Sequence, residues 1–400
     1  MLWAPVSHRR ERLVTAPGEA AGSNVRPTWL EVDLDALRRN YSLLLQRLPP
    51  TTSVIGSLKA NAYGHGAAEI ARTLDALGIP SVATGSFRDA LAIRAAGVEC
   101  KILLFGGYLP GAAEELVRHD LIATVYDLGM AEALSRSASS ECQVYVKVDC
   151  GLGRLGVPVG EALAFVDQLR RLPHLVLAGL YTHLPFSDAK GEAWARRGLG
   201  KFSELLVRLR QKGIEVAVTQ ALSSPGVLAE LPHDCTAVCT GRLLYGLAPF
   251  ADNREVDWRF RPVLRAVKTR LIHVQTHASS ARIGSGGRYQ VKAGGRTGVV
   301  PAGQSDGYRG SRNGTAEVLH KGRRIPVIGV SLEHTALDLT ASESPAVGDE
   351  VVLLGSDQGE QITLAELAAW QGVSELDVLM AFSGRVAHRY LDGQTAGEAG

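Results

Sequence analysis

The sequence predicts an α/β chain in which a TIM-type (β/α)8 barrel is followed by a mainly β domain. Between Trp29 and about Phe250, short apolar runs alternate with amphipathic helical stretches, in about eight β-then-α units over roughly 220 residues. After Asp252 the helices largely stop, and strand-like pieces separated by Gly, Pro and Ser turns replace them. A doubly wound open sheet is the structural alternative, but its G-x-G-x-x-G turn after the first strand is missing.

The predicted barrel elements follow one another in a regular order. The strands are short apolar or β-branched runs at 52–60, 79–85, 100–107, 121–127, 142–149, 175–184, 215–223 and 236–246. The helices carry apolar residues at helical spacing and lie at 66–78, 87–97, 110–120, 130–138, 161–173 and 192–213. Alternation of this kind is what a (β/α)8 barrel requires.

The remaining elements define the predicted domains. Strand-like pieces lie at 263–277, 295–303, 323–333, 334–340 and 349–355, and helical pieces lie at 363–372 and 374–384. Residues 251–262 form a charged connector that ends in proline. The predicted organisation is therefore a flexible leader at 1–26, a barrel at 27–262 and a β domain at 263–400.

Composition excludes several classes of protein. The 400 residues carry 43 Lys plus Arg against 41 Asp plus Glu, a net charge of +2, so we expect neither a nucleic-acid-binding nor a membrane-surface protein. No apolar run reaches the ~18 residues of a membrane span, and residues 1–26 lack the apolar core of a signal peptide. The five cysteines form no C-x-x-C pair, which indicates reduced thiols and a cytoplasmic location.

The segment SLKANAYGHG at 57–66 carries the clearest chemistry. Lys59 ends an apolar β run, so in a barrel it lies at the carboxyl end, where active sites form. A shielded lysine there has a lowered pKa and forms a Schiff base with an aldehyde. Tyr63 and the glycines after it suit a turn that closes on a phosphate. A surface lysine followed by an ordinary βα turn fits the same residues equally well.

This segment resembles the pyridoxal-phosphate lysine motif of the alanine racemase family. Other stretches that resemble the family occur in its order: KVDCGLGRLGV (147–157), GLYTHLPFSD (179–188), LSSPG (222–226), GRLLYGL (241–247), VPAGQSDGYRG (300–310) and GRRIPVIG (322–329). The resemblance covers about residues 28–392. It implies pyridoxal 5′-phosphate as cofactor, no metal, a small amino-acid substrate, and a head-to-tail homodimer in which the partner completes each active site.

The resemblance also implies roles for individual residues. Lys59 matches the lysine that carries the cofactor and exchanges the proton on one face of Cα. The implied phosphate ligands are Tyr63, Ser224 and the backbone amides of Gly241 and Arg242. His183 matches an imidazole placed against the cofactor ring, Arg154 an arginine near its phenolic oxygen and the substrate carboxylate, and Leu332 a substrate-binding position. Lys147 matches a position that is carbamylated in some members, and an unmodified lysine is the equal alternative.

Two departures from the family pattern fall on catalytic positions. In the turn Ile283–Tyr289, Ser285 stands where the family has its second base, a tyrosine, and a serine hydroxyl is too short and too weakly acidic to replace it. A shifted register would make Tyr289 the base instead. Cys239 stands where the family has an arginine directed at the pyridine nitrogen, and a thiolate there would favour a protonated ring. The alternative is that Cys239 is a small buried residue remote from the cofactor.

Three further departures include the loss of two phenols. Gln304 replaces the tyrosine of the G-Y-x-D-G motif, Gly384 replaces a phosphate-binding tyrosine, and Glu333 replaces an aspartate. Together they predict a larger cavity on the partner-facing side. The leading hypothesis is a one-base enzyme that performs aldol-type cleavage or transfer, decarboxylation or a related reaction at Cα. A racemase with a substitute acid at Ser285 and a non-catalytic cofactor-binding protein are the alternatives.

Overall fold

A computed structural model describes residues 10–14, 26–252, 254–311, 316–382 and 384–393. It divides into two compact units. The barrel unit comprises residues 36–62 and 67–262, and the β unit comprises the chain before residue 36, residues 63–66 and the chain from residue 263 onward. The short segment Tyr63–Gly66 thus belongs to the β unit, although the chain on both sides of it belongs to the barrel unit.

The barrel predicted from the sequence is confirmed. Numbered along the chain, β1 (Arg10–Val14) and β2 (Thr28–Asp33) precede it. Its strands are β3 (Ser53–Ser57), β4 (Ser81–Thr84), β5 (Lys101–Leu104), β6 (Ile122–Val125), β7 (Cys142–Asp149), β9 (Leu175–Tyr181), β10 (Val218–Gln220) and β11 (Ala237–Thr240), with the short β8 (Val157–Pro158) added beside β7. They pair in parallel, and the β6–β7 pairing together with β3–β11 closes the ring.

Side chains that point inward fill the barrel rather than leaving a pore. Ile55, Tyr145, Tyr181 and other inward residues form one buried apolar cluster. Gly179 lies directly against the Tyr145 ring, because a Cβ at this position would come within 2.6 Å of two ring atoms. The barrel floor is therefore a packed core, and its open end is left for polar side chains.

Helices alternate with the strands as predicted. They are α1 (Leu34–Arg47), α2 (Lys59–Tyr63), α3 (Ala67–Asp75), α4 (Phe87–Ala95), α5 (Ala113–Arg118), α6 (Leu128–Ser137), α7 (Ala162–Leu169), α8 (Ala189–Gln211) and α9 (Ser224–Leu228). Ser86, Asp127 and Asp188 begin α4, α6 and α8 by accepting a hydrogen bond from a backbone amide of the first turn. These caps explain why the helices begin where the sequence pattern changes from period two to period 3.6.

The β unit contains the later strands and two helices. They are β12 (Leu264–Arg270), β13 (His273–Thr276), β14 (Ala281–Ile283), β15 (Tyr289–Val291), β16 (Arg296–Val300), β17 (Glu317–His320), β18 (Arg323–Val330), β19 (Thr335–Asp338), β20 (Glu350–Asp357), β21 (Glu360–Ile362) and β22 (Ala387–Asp392), with α10 (Leu364–Gln371) and α11 (Glu375–Phe382). The main sheet runs β1-β22-β2-β12-β20-β17-β18-β19-β16-β13 and is antiparallel except for β2–β22. Its buried face packs around Tyr308, Leu353 and Phe382.

Two segments differ from the predicted boundaries. The predicted barrel begins at residue 27, but β2 is hydrogen-bonded to β12 and β22 of the β unit and not to a barrel strand. In the predicted flexible leader, Arg10–Val14 forms an edge strand on β22, and the leader segments 1–9 and 15–25 lie outside the described residues. Both strands satisfy their backbone groups by pairing with residues more than 200 positions away, which local sequence patterns do not reveal.

Among the described residues, no helix combines the length and the apolar character needed to cross a membrane. Within those same ranges, His, Cys, Asp and Glu side chains nowhere gather in a group of three or more that could hold a metal ion. All five cysteines are free thiols.

Candidate active site

Lys59 follows β3 at the carboxyl end of the barrel. β3 ends at Ser57, and Leu58 N–H continues the strand by donating to Ala83 of β4 at 2.8 Å. The Lys59 side chain keeps contact with solvent, yet the surrounding protein lowers the pKa of its amine, and the positive charges of Arg154 and Arg242 lower it further. A lysine in this setting has a larger neutral, nucleophilic fraction than an exposed lysine has.

The turn after Lys59 has an unusual backbone. Ala60, Asn61, Ala62 and Tyr63 all have φ between 53° and 56°, so α2 is a left-handed turn built without glycine. Each such residue costs roughly 1–2 kcal/mol relative to right-handed helix. The Asn61 amide donates to Asp89 at 3.0 Å, and its side-chain oxygen accepts from Ala67 N–H at 2.8 Å. Backbone strain of this kind clusters at functional sites, and here it directly follows the candidate catalytic lysine.

The loop that carries Arg154 is organised by one carboxylate. Asp149 Oδ1 accepts from the amides of Gly151 at 2.9 Å, Leu152 at 2.8 Å and Gly153 at 3.2 Å, and Oδ2 accepts from Gly153 at 3.0 Å. Burial raises the pKa of Asp149, but these amides outweigh it and hold that pKa below its usual value. Sequence reasoning identified Arg154 and missed Asp149, although an aspartate two residues before a glycine is a common turn signal.

Lys147 and Cys239 lie together inside the open end of the barrel. Lys147 is buried on β7, and its ammonium stands 5.5 Å from the Tyr181 ring centre. Burial and the charge of Arg154 lower the pKa of Lys147 to about 8. Cys239, on β11, packs against the inward-facing cluster, and burial raises the pKa of its thiol to about 12 although Lys59 and Lys147 lower it. A thiol with this raised pKa stays protonated at neutral pH, so the structure favours a neutral Cys239 over the thiolate considered from the sequence.

His183 lies among the same charges. It follows β9, where Thr182 N–H donates to Gln220 of the neighbouring strand at 2.9 Å. Burial, together with the positive charges of Arg154, Lys59 and Lys147, lowers the pKa of His183 to about 3. The imidazole is consequently neutral at physiological pH. The structure thus brings together Lys59, Lys147, Arg154, His183, Cys239 and Arg242 at one end of the barrel.

The candidate phosphate cradle lies between β10 and β11. Ser224 Oγ accepts from the amides of Gly241 at 3.3 Å and Leu243 at 3.4 Å, so three groups converge within the buried turn. Ser223 Oγ is also buried there and has no hydrogen-bond partner among the described residues. The sequence pointed to Ser224, Gly241 and Arg242. It missed Leu243 and Ser223, because amides have no residue signature and a serine beside another serine is not a distinctive signal.

The Tyr63–Gly66 segment is held within the β unit by its last strand. His388 Nε2 is 2.8 Å from the Gly64 carbonyl, and the Tyr390 hydroxyl donates to the His65 carbonyl at 3.0 Å. Gly66 has φ +92°, and a Cβ there would overlap the Tyr390 hydroxyl. Glycine is therefore required at position 66 for two independent reasons. The strand that contains Tyr390 was not predicted from the sequence.

The remaining predicted site residues lie on loops of the β unit. Ser285 is exposed in the short turn between β14 and β15, and Leu332 is 68% exposed. The Glu333 carboxylate accepts a hydrogen bond from Arg385 at 3.0 Å. The Gln304 N–H donates to the Ser331 carbonyl at 3.0 Å. A Cβ built on Gly384 meets no atom within 4 Å. A larger side chain would therefore have room at position 384.

Tyr289, the base that a shifted register would supply, is hydrogen-bonded to a carboxylate. Its hydroxyl donates to Asp338 Oδ2 at 2.5 Å. Burial and that carboxylate raise the pKa of Tyr289 to about 12. A phenol in this bond is a poor proton acceptor at neutral pH, which disfavours the shifted register.

The fold and the lysine-centred cluster define a class of two-domain barrel enzymes, and comparison with known proteins identifies the class. The family model "Alanine racemase, N-terminal domain" matches residues 32–249, and "Alanine racemase, C-terminal domain" matches residues 264–390. Alanine racemase from Geobacter sulfurreducens is 32% identical over 376 residues, which span 92% of this chain and 98% of the relative. Alanine racemase from Sorangium cellulosum is 34% identical over 380 residues, with 92% and 99% covered.

Solved structures agree with this result. Alanine racemase from Clostridium difficile superimposes with a TM-score of 0.85 at 26% identity, over 92% of this chain and 96% of that one. Alanine racemase from Bacillus anthracis with bound L-Ala-P gives a TM-score of 0.84 at 26% identity, over 94% and 98%. The chain belongs to the alanine racemase family. It is an alanine racemase-like enzyme whose cofactor is pyridoxal 5′-phosphate.

The residues present fit this cofactor. Converging amides, the Ser224 hydroxyl and the unpartnered Ser223 hydroxyl form a polar turn suited to a phosphate. A lysine with a lowered pKa stands at the end of the neighbouring strand β3 and is suited to an aldehyde. The barrel unit thus supplies partners for both ends of the molecule.

Proposed function

We propose that this chain acts at Cα of an amino acid through Lys59, with one-base chemistry in place of two-base racemisation. The observation that carries the proposal is Cys239, a partly buried and neutral thiol in the same cluster as Lys59 and Lys147, at the position that the resemblance matches to the family's arginine. A neutral thiol places no positive charge at that position. The candidate reactions are aldol-type cleavage or transfer, decarboxylation and related reactions.

Each group in the cluster has a distinct role in this proposal. When bound, pyridoxal phosphate withdraws electrons from Cα and so acidifies the Cα–H bond. Lys59 binds the cofactor aldehyde, and its amine moves the proton at Cα on one face. Arg154 binds the substrate carboxylate, and the Asp149 carboxylate orients the loop that carries it. The neutral His183 imidazole packs beside the cofactor without adding positive charge.

The proposal also assigns the phosphate contacts and the face of Cα opposite Lys59. Tyr63, Ser224 and the amides of Gly241 and Arg242 bind the phosphate. Leu332 contributes to substrate binding. Ser285 carries no phenol and does not hold a proton at Cα, because an alcohol is too weakly acidic for that task. Only the Lys59 face of Cα then exchanges its proton.

Deuterium exchange tests this proposal. The enzyme is incubated in D2O with each enantiomer of a panel of amino acids, and deuterium at Cα and all products are identified by mass spectrometry and chiral chromatography. We expect exchange from one enantiomer only, together with a cleavage, transfer or decarboxylation product. Racemisation of L-alanine at rates usual for the family would overturn the proposal.

The second candidate function is amino-acid racemisation with a substitute acid at Ser285. It is favoured by the relatives and solved structures, which carry the name alanine racemase. It predicts deuterium wash-in from both enantiomers at a reduced rate. A non-catalytic cofactor-binding protein is the third possibility, and an amino-acid-dependent shift of the visible absorption band of the bound cofactor would argue against it.

We also propose that the chain forms a head-to-tail homodimer in which the partner completes each site. The resemblance to the family supports this, as does the placement of Ser285, Leu332 and Gly384 on loops of the β unit. Light scattering coupled to gel filtration measures the mass, and a mass of about 43 kDa, the 42.6 kDa of one chain, would contradict the dimer. The five free thiols support a cytoplasmic location, which subcellular fractionation tests.

A further inference from the structure

Helix α8 contacts both loops that carry the polar residues of the candidate active site. A Cβ built on Gly198 would lie 2.6 Å from Leu184 Cδ2 and 3.3 Å from the Cys150 carbonyl oxygen. Leu184 directly follows His183, and Cys150 lies in the loop that leads to Arg154. Leu184 and Cys150 are both buried. One helix position without a side chain therefore accommodates the His183 loop and the Arg154 loop at the same time.

The first turns of α8 also make close contacts with both loops. A Cβ on Gly191 would approach Phe186 Cβ at 2.9 Å, so the start of the helix packs closely on the His183 loop. A Cβ on Gly151 would lie 3.7 Å from Trp194 Nε1, so the indole stands against the Arg154 loop. Asp188 caps the helix through a bond from Gly191 N–H at 2.7 Å. The position of α8 is thus transmitted to both loops by direct contact.

Arg254 attaches a third segment to the same helix. Its guanidinium binds Asp252 through Nε and Nη2, each at 2.8 Å, and binds Glu192 of α8 through Nη1 at 2.7 Å. It also stacks on the Phe250 ring at 4.1 Å. Phe250 in turn lies 5.9 Å from the Phe186 ring, and Ala251 N–H donates to the Ser187 carbonyl at 2.8 Å. The His183 loop is therefore held between α8 and the segment that contains Arg254.

We propose that α8 and Arg254 form a positioning clamp that sets the orientation of the His183 imidazole relative to Arg154. The inference rests on the proposed function, since it assigns a purpose to that geometry, but the contacts belong to the barrel unit alone. Gly198 and Arg254 are positioning residues in this scheme, because they act on His183 through Leu184, Phe186 and Ser187. Packed elements transmit such shifts because protein interiors yield little.

Two pairs of matched variants test the clamp. Gly198→Ala inserts a methyl group between the two loops, whereas Gly200→Ala makes the same change on the same helix where a Cβ meets no atom within 4 Å. Arg254→Gln removes the guanidinium bonds to Glu192 and Asp252 together with the stack on Phe250. Arg196→Gln removes the other guanidinium that binds Glu192, through Nε at 3.0 Å and Nη2 at 2.7 Å, but touches neither aromatic ring. Arg254→Lys retains the charge without the forked geometry.

The primary readout is independent of the cofactor. Protein labelled with 13C in the histidine rings gives a His183 Cε1–H signal, assigned by its loss in His183→Gln. We expect this signal to move in Gly198→Ala and Arg254→Gln, to move less in Arg254→Lys, and to stay in place in Gly200→Ala and Arg196→Gln. The second readout is the dissociation constant for pyridoxal phosphate, which we expect to rise by about tenfold or more only in the first two variants.

An unchanged His183 signal in both Gly198→Ala and Arg254→Gln would overturn the clamp. If Gly198→Ala does not fold, the Arg254 and Arg196 pair decides alone, because neither side chain lies in the apolar core. If the wild-type protein binds no pyridoxal phosphate, the proposed function fails, whereas the comparison of His183 signals still supports or refutes the clamp.

Discussion

Burial sets the charge of individual side chains in the candidate site. Cations surround both the Cys239 thiol and the His183 imidazole. Burial raises the pKa of Cys239 to about 12 in spite of these charges. Burial and the same charges both lower the pKa of His183, to about 3. Both groups are neutral at pH 7. Positive charge in the cluster is therefore supplied by Lys59, Lys147, Arg154 and Arg242, which suits a site that receives an anionic cofactor.

The first prediction concerns thiol reactivity. Burial raises the pKa of every cysteine, including Cys142. The pKa rises to about 11 for Cys150 and to about 12 for Cys100, Cys235 and Cys239. Because the thiolate is the nucleophile, we expect the folded protein to react with a disulfide reagent at pH 7.5 far more slowly than free cysteine. The same assay in urea should titrate five thiols per chain. One thiol that reacts at the rate of free cysteine in the folded protein would contradict the buried assignment.

The second prediction restores the missing phenol. Ser285→Tyr adds a hydroxyl of suitable acidity at the position that the proposed function assigns to the second base. If that assignment holds, we expect proton exchange from the enantiomer that the wild type leaves unexchanged to rise by about a hundredfold. The measurement is Cα deuterium wash-in from both enantiomers. Ser285→Phe is the matched control, since it adds the ring without the hydroxyl. Equal rates in the Tyr and Phe variants would show that position 285 does not reach Cα.

At the scale of single elements, the third prediction concerns the residue at which helix α10 begins. Thr363 begins α10 with a reciprocal capping box, in which its hydroxyl accepts from Glu366 N–H at 3.1 Å and its own amide donates to Glu366 Oε2 at 2.9 Å. We expect Thr363→Ala to lower the free energy of unfolding by about 1 kcal/mol, measured by urea denaturation. Thr363→Ser retains an acceptor and should stay close to wild type. A full loss in the serine variant would mean that packing of the threonine methyl matters, not the cap.

The fourth prediction tests packing inside the barrel. Gly179→Ala places a methyl group against the Tyr145 ring, which lies in the packed interior and has no room to shift. We expect a loss of about 1–3 kcal/mol in unfolding free energy, as for other overpacked cores. Gly160→Ala is the control, because a Cβ there meets no atom within 4 Å. Similar stability of both variants would contradict the close approach of β9 to Tyr145.

At the scale of the whole molecule, buried histidines link stability to pH. Burial lowers the pKa of His183 to about 3 and lowers those of His320 and His388. Below the unfolded pKa near 6.5, the unfolded chain then binds more protons than the folded chain, so stability falls as pH decreases. For His183 alone, the unfolding free energy falls by about 2 kcal/mol between pH 6.5 and pH 5.

This fifth prediction is measured by urea denaturation at pH 7 and pH 5. We expect a lower unfolding free energy at pH 5, and a smaller difference between the two pH values in His183→Gln, which has no proton to gain. An unchanged difference in that variant would mean that His183 is not held neutral by the fold.

Much of the fold was predictable because its signals are local. The strand at 142–149 and the helix at 87–97 were both predicted, since apolar periodicity and capping residues act within a few positions. By contrast, β2 lies between β12 and β22, and no local pattern records partners so far along the chain. The left-handed turn after Lys59 was also not predicted, because alanine and tyrosine rarely adopt it.

Apolar periodicity and turn residues predict the barrel rhythm and the β domain that follows it, because these signals are local. The choice of Lys59, Arg154, His183 and Ser224 as site residues rests on their resemblance to the family's motifs, and their roles are proposals. The surroundings and protonation of these side chains depend on residues that folding brings next to them. The surrounding protein raises the pKa of Cys239, three amides bind the Asp149 carboxylate, the Leu243 amide bonds to Ser224 in the candidate phosphate cradle, and α8 packs against the loops of His183 and Arg154. The physical reason is that desolvation, hydrogen-bond convergence and close packing are properties of distant residues brought together.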